Sequence, residues 1–81
     1  MPGPVKRSVQ IAGHATSISL EPIFWDALVA AAVAQGLPLS ALVARIDAAR
    51  IEAPDPANLA SAIRVWLFER ATAAGSGSAV E

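Results

Sequence analysis

The sequence predicts a mainly α-helical chain that opens with a short β ribbon. Three observations carry this prediction. Residues 7–21 alternate β-branched with small polar side chains, the period of a strand. Later stretches around 22–35, 40–52 and 58–72 repeat apolar residues at helical spacing. "GLP" at 36–38 and "APDP" at 53–56 interrupt them with glycine and proline.

The ribbon comes first. Val9 and Ile11 are odd-numbered, whereas Ile18 and Leu20 are even-numbered. A period-2 pattern changes parity only across a turn or a bulge, and Gly13-His14 is the place for one. Two arrangements follow: a hairpin of 7–12 with 15–20, or one bulged strand. A mobile arm at 7–12 is the plain alternative. Residues 1–6 read as a flexible arm.

The helices follow in order. Pro22 suits the first helical position, where a missing N–H costs nothing. Phe24, Ala27, Leu28 and Ala31 then share a face, and Gly36 is a C-terminal stop. Only Asp26 and Gln35 are polar in this helix, so it is expected to be covered on more than one side. Pro38 begins the second helix or Ser40 caps it, and Leu42, Val43, Ile46 and Ala49 form its apolar stripe. Asn58, or Asp55 with Pro56, caps the third. Its stripe comprises Leu59, Ile63, Trp66 and Leu67, widened by Val65 and Phe68. After Thr72 the chain turns to "AAGSGSAVE", the composition of a flexible tail. The expected organisation is an arm at 1–6, one domain at 7–72 and a tail at 73–81.

Bulk properties narrow the function classes. An 81-residue chain has a marginal core, yet 54% of its residues are apolar. That surplus favours a homo-oligomer. No apolar run approaches the roughly 18 residues of a membrane span. No apolar signal core follows the N-terminus, so the expected location is cytoplasmic. With no cysteine and one histidine, neither a metal site nor a cofactor is expected. His14 beside glycine reads as a solvated turn residue, and Trp25 and Trp66 read as core or interface. Asp47 and Arg50 form an i,i+3 pair, while Arg45 and Arg64 are solvated or meet a partner's carboxylate. No nucleophile, base and orienting group occur together, so no catalytic residue is assigned. The net charge is −1, and after Lys6 and Arg7 no further cation occurs until Arg45.

The blocks Lys6–Val9, Ile11, Gly13-His14, Thr16–Ser17, Ser19–Pro22, Phe24–Trp25, Ala27–Leu28, Ile46–Arg50 and Asn58–Arg70 match a pattern. Through them the chain resembles the ribbon-helix-helix superfamily, and within it a group of small members sharing those blocks. The resemblance implies an intertwined homodimer in which two strands pair antiparallel, here with a third C-terminal helix per chain. It implies a shared core of Ile18, Leu20, Phe24, Leu28, Leu42 and Ile46. If 7–12 is ordered, it widens the ribbon to four strands.

The resemblance also implies a small DNA-binding transcriptional regulator with its ribbon in the major groove. Carried over by position, Ser17 and Ser19 face the bases. Ala15 stands between them and the turn, where a basic residue is expected. Lys6 and Arg7 reach flanking phosphates, and the backbone at Leu39 and Ser40 offers N–H groups to another. The alternative is a dimeric or higher-order protein-interaction scaffold, antitoxin-like or structural, with little DNA affinity.

Overall fold

Two residues with positive φ, Ala12 at 52° and Gly13 at 83°, turn the chain back on itself. They form the two-residue loop of a type I′ hairpin, whose twist matches that of the strands it joins. The computed structural model describes residues 3–55 and 58–79. Its elements are β1 (Val5–Ile11), β2 (His14–Leu20), α1 (Pro22–Ala34), α2 (Leu39–Glu52) and α3 (Leu59–Ala79). The turn therefore falls one residue earlier than Gly13-His14. Gly13 takes the second loop position, and His14 is the first residue of β2, opposite Ile11.

β1 and β2 are antiparallel, from Val5 opposite Leu20 to Ile11 opposite His14. Residues directly opposite share a face, so odd residues of β1 join even residues of β2. This resolves the parity change as a hairpin rather than a bulge or a mobile arm. Val9, Ile11, Ile18 and Leu20 are buried on one face. Lys6, Ser8, Gln10, Ala15, Ser17 and Ser19 occupy the other.

β1 also starts earlier than the expected strand. Val5 and Lys6 belong to the ribbon rather than to an arm. Val5 lies opposite Leu20, and its carbonyl accepts a 2.8 Å hydrogen bond from Trp25 Nε1. Residues 1 and 2 of that arm lie outside the described residues.

Alanine in the left-handed region is strained by roughly 1 kcal/mol, and asparagine tolerates it better. Ala12→Asn is therefore expected to raise the thermal midpoint by about 4–8 °C, the shift that ~1 kcal/mol gives in so small a domain. Circular dichroism melts check it, and an unchanged or lower midpoint would refute strain at this position.

Pro22 is the first residue of α1, after Glu21 in extended conformation. The Glu21 carbonyl accepts from the N–H groups of Phe24 and Trp25. At the other end Gly36 adopts φ 67°. Its N–H donates to Val33 O, and that of Leu37 donates to Ala32 O, which is a Schellman closure.

α2 follows at 101° to α1. Pro38 neither begins it nor leaves Ser40 to cap it. Its extended backbone makes Pro38 itself the capping residue, and its carbonyl accepts from Ala41 and Leu42. Asn58 Oδ1 accepts from the Ser61 N–H at 2.8 Å and so caps α3. Pro56, of the alternative cap, lies outside the described residues.

α3 runs on to Ala79, through most of the stretch assigned to a tail. Glycine and serine lower helix propensity there, yet no proline removes a hydrogen bond, and propagation costs far less than nucleation. The Thr72 hydroxyl folds back onto the Phe68 and Glu69 carbonyls. Residues 80 and 81 lie outside the described residues.

β1 rests against α2 and β2 against α3, while α1 packs on both helices. Trp25, Leu20, Leu28, Leu42, Val43 and Ile63 are fully enclosed. Among the described residues no polar side chain is buried. Of the residues assigned to a shared core, Ile18, Leu20, Leu28, Leu42 and Ile46 sit inside this single-chain core. Phe24 is half-buried at its margin.

Val65 and Phe68 do not widen the α3 stripe inward. They lie about 200° and 100° round the helix from Ile63 and Leu67, and both are exposed. Between α1 and α3 lies a groove lined by Ala27, Ala30 and Ala31 on one side and by Leu67 and Ala71 on the other. Ile23, Val29 and Val33 stay open to solvent. Among the described residues no single helix is long and apolar enough to cross a membrane.

Candidate nucleic-acid interface

The outer face of the hairpin has three rungs. Lys6 stands opposite Ser19, Ser8 opposite Ser17, and Gln10 opposite Ala15. Its side chains are small or polar, with one cation and no carboxylate. Lys6, Ser17 and Ser19 are thus brought together. Ser8 and Gln10 join them from β1, and the assignment by sequence missed both. The signal was present: if Val9 and Ile11 point inward, Ser8 and Gln10 point outward.

Arg7 does not share this face. It lies opposite Ile18, and its guanidinium sits 5.2 Å from the centroid of the Trp25 ring. The alternation that carries Lys6 outward carries Arg7 to the opposite side, where the indole face attracts it. Leu39 and Ser40 form the first turn of α2, away from the ribbon in sequence and in element. Ala41 and Leu42 bond Pro38 O, so the N–H groups of Leu39 and Ser40 are the ones this helix end presents. His14 is exposed at the hairpin end.

Hydrogen-bond phase defines the rest of the ribbon. In a two-residue hairpin the flanking residues, here Ile11 and His14, exchange both bonds, and the pattern alternates from there. His14, Thr16, Ile18 and Leu20 therefore bond to β1. Ala15, Ser17 and Ser19 direct their N–H and C=O groups to the opposite, open edge of β2.

Arg64, read by sequence as solvated or paired with a partner, binds within its own chain. Its Nε donates to Glu21 Oε1 at 3.0 Å. Arg50 and Asp47 pair at 2.7 Å as the spacing implies, and Arg45 Nη1 donates to Gln35 Oε1 at 3.1 Å.

The Glu21 carboxyl is held below its ordinary value, first by a hydrogen bond from its own backbone N–H and then by Arg64. A lowered folded-state value means stability that is present above the ordinary carboxylate range and lost as pH falls through the lowered one. Acidification is therefore expected to lower the thermal midpoint of the native chain more than that of Glu21→Gln. Parallel pH profiles of the two would show that the bridge contributes nothing.

Comparison with curated proteins and with solved structures gave no match. A family model described as a ribbon-helix-helix domain matches residues 4–71, which run from the residue before β1 into α3. The match takes in both strands and the helix-turn-helix that follows them, and on that coverage the chain belongs to the ribbon-helix-helix domain family.

Proposed function

We propose that the chain is a small DNA-binding transcriptional regulator that acts as a homodimer with its ribbon in the major groove. One observation carries this reading: the outer face of Lys6, Ser8, Gln10, Ala15, Ser17 and Ser19, polar or small and free of carboxylates. Ribbon-helix-helix domains typically dimerise and bind DNA, which supports it.

The second copy joins along the open edge of β2. The ribbon then has four strands, with β2 and its copy at the centre. At about 4.8 Å per strand the outer strands lie roughly 14 Å apart, wider than the ~12 Å major groove. The central strands therefore enter the groove, and each β1 lies over a phosphate rim. Ser17 and Ser19 face base edges beside the Ala15 methyl, while Lys6, Ser8 and Gln10 bond phosphates. The N–H groups of Leu39 and Ser40 take a further phosphate. Serine bonds acceptors and donors alike, so part of the sequence preference comes from DNA shape.

Selection from a random DNA library at low salt, with light scattering on the same sample, tests the reading. The expected result is a repeated half-site enriched by a dimer. No binding at low salt by a stable dimer or larger assembly would favour a protein-interaction scaffold instead. The exposed Ile23, Val29 and Val33 of α1 are the observation behind that second reading.

A further inference from the structure

Three elements converge on Arg64. From α3 its Nε reaches Glu21 Oε1 at 3.0 Å, at the head of α1. Its Nη2 approaches the Ser19 carbonyl of β2 at 3.5 Å, a long hydrogen bond. Its guanidinium carbon lies 5.7 Å from the centroid of the Phe24 ring. Glu21 occupies the N-cap position of α1 but makes no side-chain cap bond there, so its carboxylate serves Arg64 instead.

The Ser19 oxygen has a particular place. With those of Ala15 and Ser17 it is one of the carbonyls that β2 directs to its open edge. Proteins commonly blunt an exposed strand edge with a charge or a covering helix. Here α3 supplies both at one end of the edge.

We propose that Arg64 is a guard on the self-pairing edge of β2. While it is seated on Glu21, Ser19 and Phe24, a second copy pairs freely only along Ala15–Ser17. Completing the seam requires the guanidinium to leave the Ser19 carbonyl. α3 thus competes with the second copy for the end of the ribbon and sets the concentration at which dimers form. The proposal rests on the reading of this edge as the dimer seam.

The chain has no cysteine, so a single introduced thiol reports on the edge alone. Full-length Ser17→Cys and Ser17→Cys/Arg64→Met are titrated in concentration and captured with a short bismaleimide. Methionine keeps an apolar stem over Phe24 but carries no charge or donor. The double variant is expected to reach half-capture at about tenfold lower concentration, because a dimer releases two such bonds and each, long at 3.5 Å, is worth about threefold. Ser17→Cys/Glu21→Gln is expected to shift the same way, and it carries the test if Arg64→Met loses helix content. Equal or higher half-capture concentrations in the variants overturn the guard while leaving the seam intact. No capture in any variant at any concentration overturns the seam, and the guard with it.

Discussion

Ile18→Asp is expected to leave the chain unfolded at neutral pH, with helical circular dichroism lost. Ile18 is 3% exposed on the inner face of β2, within the single core. The cation across the strands, Arg7, is itself exposed and sits over the Trp25 ring, so it offsets only part of the cost of a carboxylate at this buried position. A poorly paired buried charge costs several kcal/mol, to which the lost packing of isoleucine adds about 2 kcal/mol or more. At ~0.05–0.15 kcal/mol per residue, a chain of this length holds about 4–12 kcal/mol in total. The substitution removes most or all of it.

Ser17→Asp is the matched control. One residue away, it points to the outer face and is expected to change stability by about 0.5 kcal/mol or less. Denaturant titration of the pair tests the ribbon's register directly. A folded Ile18→Asp chain, or equal losses in both variants, would mean that the inner and outer faces are misassigned.

Much of the architecture was legible in local pattern. The odd-to-even change between Val9–Ile11 and Ile18–Leu20 required a reversal, and Gly13 marked its position to within a residue. Pro22, Gly36 and Asn58 bounded helices through backbone rules that act over a few residues. Elsewhere the boundaries depended on tertiary partners. Nothing near Val5 in sequence says that it is in a strand; Leu20 and the Trp25 indole do. Arg7 looked like the neighbour of Lys6 in function because the two adjoin in sequence. In a strand adjacency means opposite faces, and the Trp25 ring holds Arg7 on the other one.

The candidate site was half legible for the same reason. Ser17 and Ser19 lie on one strand and follow from alternation alone. That Ser8 and Gln10 point outward also follows from alternation, but their places beside Ser17 and Ala15 required the register between strands, which the turn type sets and composition does not. Arg64 was less accessible still. Its partner Glu21 lies 43 residues away in sequence, and only the packing of α3 against β2 brings them together. A charged residue on a helix reads as solvated by default, since helical periodicity carries no information about other elements.

Lys6 and Arg7 therefore make the sharpest test of how the ribbon meets DNA. The logarithm of affinity falls with the logarithm of salt by about 0.9 for each phosphate neutralised. A homodimer presents two copies of Lys6 on its groove-facing side. Lys6→Ala is expected to weaken binding to all sequences alike and to reduce the salt slope by about 1.8 per dimer. Arg7→Ala removes the same charge from the opposite face, so it should leave that slope nearly unchanged while loosening the packing around Trp25. Fluorescence anisotropy on one duplex across a salt series measures both. If Arg7→Ala lowers the slope and Lys6→Ala does not, DNA meets the other side of the sheet. If neither changes it, the ribbon's charges lie off the phosphate path. Only a loss confined to Lys6 agrees with a central pair of β2 strands in the groove and β1 on its rim.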